Sequence, residues 1–331
     1  MLSIAVIGAG RIGQIHARNV VRHAGVHLAG IADVDAGAAA RLAEECGTQA
    51  VSLDTAFTAD AVLIGSPTPT HADYIERAAA GGRAIFCEKP IDLAADRVRA
   101  CLASVRRAGV VLMVGFNRRF DPHFMALKRR IDAGEIGAVE LLTIISRDPA
   151  PPPPSYVVTS GGLFRDMMIH DLDMARYLLS EEPAEVHAAA SCLIDPSIAA
   201  AGDVDTAVVI LRTPSGKLCQ ISNSRRATYG YDQRIEVHGA RGMLRVGNVT
   251  ATTVERAGDG GFATDPALPF FLERCAAAYR AELAAFVTAV ESRQPLKPDG
   301  EDGLKALLLA DAATLSADTG QAVHLQDASG A

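Results

Sequence analysis

Hydrophobic positions in the first 120 residues come in short, nearly unbroken runs. "SIAVIG" (3–8), "HLAGIAD" (27–33), "AVLIGS" (61–66), "AIFCEKP" (84–90) and "VLMVGF" (111–116) have the continuous Val/Ile/Leu character of strands covered on both faces. Stretches of helical spacing lie between them, at 12–23, 36–46, 70–81 and 93–108. Strands alternating with helices predict a parallel, doubly wound α/β sheet of the Rossmann type. Beyond residue 138 the pattern changes. Strand-like segments follow one another at 139–147, 185–194, 205–213, 217–226, 234–239 and 242–248, several of them separated by turn signals such as "TPSGK" and "GARG". That spacing predicts a C-terminal α+β domain with a large open mixed or antiparallel sheet. The tetraproline at 151–154 has no backbone donors and is expected to be loop or extended chain. A helix is expected over 161–179, "GGLFRDMMIHDLDMARYLL", and further helices at 270–292 and 301–316.

Length and composition narrow the function. A chain of 331 residues favours two domains over one. With 49% hydrophobic and 21% charged residues it can bury an ordinary core. The net charge of −7 argues against a nucleic-acid partner and against a polybasic membrane anchor. None of the six cysteines lies at metal-finger or C-x-x-C spacing, so no metal is expected and reduced thiols in a cytoplasmic protein are the default. No apolar run reaches the ~20 residues of a membrane span, and the N-terminus runs straight into a strand pattern.

The chemistry begins at "GAGRIG", Gly8 to Gly13, which is G-x-G-x-x-G between a strand and an amphipathic helix. Gly8 permits a tight turn, Gly10 lets backbone approach a pyrophosphate, and Gly13 allows close helix–sheet packing; Arg11 and Ile12 open the helix whose amides face the anion. Asp33 ends the second strand about 20 residues later, where a carboxylate accepts hydrogen bonds from both ribose hydroxyls. It repels a 2′-phosphate, and neither Val34 nor Asp35 supplies a basic clamp, so NAD is preferred over NADP; Arg11 is the one nearby cation that could favour phosphate. Asp35 reads as a helix N-cap. "GSPTPTH" (65–71) ends a third strand and adds Ser66, Thr68, Thr70 and His71 to the cofactor side, with capping as the plainer role of Thr70.

"CEKP" (87–90) ends the fourth strand and aims Glu88 and Lys89 at the nicotinamide end, with Pro90 holding Lys89 extended. In "GFNRRFD" (115–121) one of Arg118 and Arg119 is a candidate for a polyhydroxyl substrate and the other for a surface or interdomain ion pair. Asp166 and His170 stand four apart in an apolar helical stretch, on one face. A surface ion pair is the plain reading. An NAD site without a proton acceptor favours the other: His170 as base, Lys89 steadying the incipient alkoxide, and Asp166 orienting both. Asp173 reads as a solvated or structural charge.

With these residues in place, "AVIGAGRIGQIHARN", "CEKP", "GFNRRFD", "SRDPAPPP", "GGLFRDMMIHDLDMARYLL" and "YGYDQRIEVHG" resemble, in order and over nearly the whole chain, the glucose–fructose oxidoreductase and inositol dehydrogenase family, and within it the inositol 2-dehydrogenases. The resemblance implies an NAD-binding Rossmann domain over 1–120 and an α+β domain for substrate binding and oligomerisation over 121–331, assembled as a homotetramer through its sheet. It implies Lys89, Asp166 and His170 as the catalytic triad of an NAD-dependent oxidation of myo-inositol to 2-keto-myo-inositol. Arg118, Asp148 and Tyr231 fall at polyol-contacting positions, and Asn117, a departure from the relatives' pattern, borders the same substrate pocket. The alternatives are a dehydrogenase of another cyclic polyol or sugar, such as scyllo-inositol or glucose, and a non-catalytic NAD-sensing protein.

Overall fold

The computed structural model describes residues 1–325. Residues 326–331, the end of the expected C-terminal domain, lie outside the described residues. The chain forms two compact units, Met1–Phe120 with Ala277–Leu307, and Asp121–Ala276 with the chain from Leu308 onward.

In the first unit β1 (Leu2–Ile7), β2 (Val26–Ala32), β3 (Ala61–Ile64), β4 (Ala84–Cys87) and β5 (Leu112–Val114) form a wholly parallel sheet in the order β2-β1-β3-β4-β5. β3 and β4 are buried at every position, which is why they read as unbroken apolar runs. The strand order reverses at β1, so the carboxyl ends of β1 and β3 flank the crevice in which such sheets bind ligands. One core of this unit gathers Ile4, Val6, Leu63, Phe86 and Met113 from the strands with Leu283, Phe286 and Val287 from the helix Ala276–Ser292. That helix corrects the single second domain expected over 121–331. The segment Ala277–Leu307 returns to the first unit because its apolar face completes the core there.

In the second unit β6 (Val139–Arg147), β7 (Glu185–Ser191), β8 (Thr206–Arg212), β9 (Leu218–Ser224), β10 (Asp232–Gly239), β11 (Gly242–Val246) and, after an exposed hairpin of β12 (Glu255–Gly258) and β13 (Gly261–Thr264), β14 (Val323–His324) are the strands. Seven of them make one mixed sheet, β11-β10-β6-β9-β8-β7-β14, in which only the β6–β9 pair is parallel. Period-two alternation sorts its faces. Leu142, Ile144, Val209, Leu211, Cys219 and Ile221 point into a core shared with Leu172 and Leu179 of the helix Ile169–Leu179. The opposite face exposes Leu141, Val208, Ile210 and Leu218.

Local chemistry explains where elements stop. β7 ends at Ser191 because the amides of Leu193, Ile194 and Asp195 donate to the buried Asp205 carboxylate at 2.8, 2.8 and 3.1 Å instead of to a ladder. These amides overcome the upward push of burial and hold Asp205 at about 2. The expected helix over 161–179 is not continuous. Pro154 opens a separate helix, Pro154–Ser160, so the last proline of the run is helical. Gly161 and Gly162 then take φ of 86° and 83°, Phe164–Met168 is a π-helical turn, and the α-helix begins only at Ile169. The stretch expected as one helix over 270–292 divides at Cys275. No helix among the described residues is long and apolar enough to cross a membrane.

Candidate active site

The nucleotide loop is built by contacts that leave no room for side chains. Gly8 follows β1 with φ of 107°, and a Cβ there would lie 2.6 Å from the Gly65 backbone. At Gly13 a Cβ would stand 1.8 Å from the Gly8 carbonyl oxygen, so only glycine lets the helix Arg11–Arg22 pack this close to the loop. Gly10, the N-cap, has nothing within 4 Å of its would-be Cβ and offers no side-chain cap, so an anion can approach the start of the helix, where Arg11 and Ile12 stand. Asp33 follows β2. Its Oδ2 accepts from the Ala9 amide at 2.6 Å and its Oδ1 from the Asp35 amide at 2.8 Å, which fixes the carboxylate beside the glycine loop. Asp35 caps the next helix through the amides of Gly37 and Ala38. A glycine cradle, an open helix N-terminus and an oriented carboxylate fit a dinucleotide.

The end of β3 departs from expectation in two side chains. Thr70 does not cap the helix His71–Ala80; its hydroxyl turns back to Ser66 Oγ at 2.6 Å and the Pro67 carbonyl at 2.8 Å. His71, expected on the cofactor, is buried with Nδ1 2.7 Å from the Pro90 carbonyl and Nε2 2.7 Å from the Ser66 carbonyl. With both ring nitrogens committed to protein, it ties the β3 loop to the Lys89–Pro90 turn instead of offering an atom to a ligand. Glu88 likewise turns inward, its Oε1 2.7 Å from Nε2 of the buried His16. Thr68 and Lys89 stay half-buried. Past β5, Asn117, Arg118 and Arg119 are buried in a 3₁₀ turn, Asn117–Phe120. Arg119 Nη2 pairs with Asp302 Oδ1 at 3.2 Å, inside the first unit and away from solvent. That ion pair is neither at the surface nor between the units.

In the second unit the ends of three strands converge. Arg147, closing β6, pairs with Ser224 at the end of β9 and with Asp232 at the start of β10. Asp148 continues that pairing through its amide to the Ser224 carbonyl at 3.0 Å, and Tyr231 precedes β10 with its ring edge-on to Phe270. Asp148, Arg225 and Tyr231 therefore stand at one end of the sheet. Asp166 lies in the π turn and His170 at the second residue of the α-helix, both half-buried. The four-residue spacing thus spans a π-to-α junction, a local irregularity common at functional sites.

Two side chains that sequence patterning missed hold Asp166. The Tyr156 hydroxyl donates to Asp166 Oδ1 at 2.9 Å, and Arg225 Nη1 lies 3.6 Å from Oδ2. Burial and the neighbouring carboxylate push the Tyr156 phenol well up, so it stays a donor. The other branch of Arg225, Nη2, is 3.7 Å from Asp203 Oδ2, and Asp203 Oδ1 accepts from the Leu163 amide at 2.9 Å. One guanidinium, 1% exposed, thereby joins the start of the π turn to the acid within it. Asp173 is not solvated: it is buried and pairs with Arg176 at 3.4 Å, while Asp171 accepts from Asn223 Nδ2 at 3.0 Å.

Comparison with known proteins agrees with this layout. Residues 2–116 match the oxidoreductase family with an NAD-binding Rossmann fold, and residues 124–245 match the GFO/IDH/MocA C-terminal domain. The chain is 53% identical over 314 residues to an inositol 2-dehydrogenase of Rhizobium meliloti (strain 1021), covering 94% of this chain and 95% of the relative. The crystal structure of a myo-inositol dehydrogenase from Corynebacterium glutamicum ATCC 13032 superposes with a TM-score of 0.95 at 46% identity, over 99% of this chain and 100% of that one. A scyllo-inositol dehydrogenase from Lactobacillus casei with bound NAD(H) and scyllo-inositol gives a TM-score of 0.92 at 30% identity, over 98% and 99% of the two chains. The chain is an NAD-binding oxidoreductase and belongs to the Gfo/Idh/MocA family.

Proposed function

We propose that this enzyme oxidises myo-inositol at one ring carbinol to 2-keto-myo-inositol, using NAD. The observation that carries the reading is the near-full-length likeness to the Rhizobium inositol 2-dehydrogenase. The held Asp166 carboxylate, four residues before an imidazole, supports it. NAD, when bound, supplies the acceptor for the carbinol hydride. The remaining work falls to the chain's own side chains. His170 takes the hydroxyl proton, so the hydrogen leaves carbon as hydride and oxygen as proton, and a ketone remains. Lys89 steadies the negative charge that develops on that oxygen. Asp166 orients both groups and balances their charge. Arg118, Asn117, Asp148 and Tyr231 contact the other ring hydroxyls; a site that hydrogen-bonds each hydroxyl rejects isomers by leaving its own polar groups unpaired.

A panel of myo-inositol, scyllo-inositol and glucose, each with NAD and NADP, is expected to give the highest kcat/KM with myo-inositol and NAD. Scyllo-inositol is the second reading, favoured by the Lactobacillus neighbour that binds it. No NADH from any inositol, beside turnover of glucose, removes the substrate assignment.

The outward face of the seven-stranded sheet supports assembly. Leu141 and Leu218 are cross-strand neighbours, and Val208 and Ile210 follow on β8, all exposed. An apolar patch running over adjacent strands marks a protein interface. The protein is expected to elute as a homotetramer by light scattering, and Ile210→Glu to lower the mass; a wild-type monomer at micromolar concentration excludes the assembly.

A further inference from the structure

Three titratable side chains meet in the interior of the first unit, and the reaction described above uses none of them directly. His16 comes from the helix that opens on the nucleotide loop, Glu88 from the residue before Lys89, and Glu282 from the helix Ala276–Ser292. One polar atom from each lies within 4.8 Å of the other two. His16 and Glu282 have no exposed surface and Glu88 has 9%. The His16–Glu88 contact is a 2.7 Å hydrogen bond. Neither oxygen of Glu282, and not Nδ1 of His16, has a hydrogen-bond partner among the described residues. The walls are aromatic: Phe86 and Tyr279 stand edge-on to His16 at 5.0 and 5.6 Å, and Phe286 packs on Phe86 at 5.8 Å.

An ionised carboxylate with no donor in such a place would be unsupportable, the more so beside a second carboxylate already engaged by an imidazole. We infer that Glu282 is held as a neutral carboxylic acid and that the cluster acts as a positioning device. It fixes Glu88 against His16 and thereby ties the strand end that bears Lys89 to the NAD-binding helix. The titratable groups facing Glu282 are Glu88 from the turn after β4 and His16 from the nucleotide-loop helix. Burial first, and the Glu88 charge second, raise the Glu282 carboxyl well above its ordinary range, in the same direction as the geometry requires. A group whose folded pKa is raised contributes stability that is complete below its unfolded value, about 4.3. The contribution declines as pH rises toward the folded value. At the alkaline end Glu282 ionises beside Glu88, and the Lys89 turn loses its support.

The test compares the full-length enzyme with Glu282→Gln, a neutral near-isostere. From pH 5 to pH 8.5 the melting temperature of E282Q is expected to gain on wild type by at least about 3 °C, the scale of a single buried charge in a domain of this size. An infrared difference spectrum at pH 8 shows the C=O band of a protonated carboxylic acid in wild type that is missing in E282Q. Turnover falls at the alkaline end earlier in wild type than in E282Q. This last arm rests on Lys89 serving the inositol reaction, whereas the melting and infrared arms need no substrate and stand if that reading fails. If E282Q does not fold, wild type labelled with ¹³C-glutamate carries the test: one carboxyl resonance titrates only at the alkaline end. A pH-independent melting gap, an infrared spectrum without the acid band, or a melting temperature raised by Mn²⁺ or Zn²⁺ in wild type alone would overturn the assignment, the last in favour of a bound cation.

Discussion

His170→Ala is expected to lower kcat for myo-inositol oxidation by about 10²–10⁴-fold, the range that a positioned general base contributes. Hydride leaves a carbinol carbon readily only as its oxygen loses a proton. Without an acceptor that proton must go to water from a hydroxyl far too weak an acid to release it. The nucleotide loop Gly8–Gly13 and Asp33 belong to the first unit and His170 to the second, so the affinity for NAD is expected to stay within about threefold of wild type. Stopped-flow absorbance of NADH with excess inositol reads the chemical step, and isothermal titration calorimetry reads NAD binding. The pH profile supplies the sharper control. In wild type kcat/KM rises through the range where imidazoles ordinarily titrate, roughly pH 6–7, and then levels. In the alanine variant the residual rate has no such limb. A variant that keeps both the rate and the limb assigns the base to another group and ends the role of His170.

The parallel sheet was legible because its strands are buried on both faces, so Ile4–Ile7 and Ala61–Ile64 write unbroken apolar runs that only one environment rewards. Gly8 and Gly13 were legible for a similar reason, since backbone atoms stand where any Cβ would go. The helix over 161–179 misled because its apolar spacing is satisfied by a π turn joined to an α-helix as well as by one α-helix, and only the left-handed Gly161–Gly162 pair hints at the break. Arg225 was readable and overlooked. On β9 the inward positions are Cys219, Ile221 and Asn223, and the same alternation carried one step further places Arg225 inside. "NSRR" looks like a solvated strand end only when that period is dropped. Tyr156 left no comparable trace, for a lone tyrosine after four prolines has no periodicity to set its direction. The inward turn of His71 and Glu88 was hidden for another reason: strand ends place a backbone, whereas the choice between ligand and neighbouring carbonyl is made by tertiary contacts.

Arg225→Met is expected to cost the protein about 3–5 kcal/mol, the usual penalty for stripping a buried charge of its partner. The guanidinium is 1% exposed and stands between two carboxylates, Asp166 and Asp203, whose side chains are themselves only 14% and 10% exposed. Methionine fills much of the volume but none of the charge, so two acids face each other's field across an apolar side chain. Calorimetry is expected to show a melting temperature lower by at least about 6 °C, with kcat reduced in the surviving fold because Asp166 keeps only the Tyr156 hydroxyl of these two partners. The double variant Arg225→Met/Asp203→Asn separates structure from chemistry. Removing the second carboxylate relieves the repulsion and returns part of the stability, and the amide oxygen can still accept from Leu163. Turnover stays low, since Asp166 remains without its cation. If the double variant regains rate along with stability, Arg225 serves the fold alone. If Arg225→Met melts like wild type, the two acids have another counter-charge, and the orientation of Asp166 must be explained from Tyr156 and the π turn.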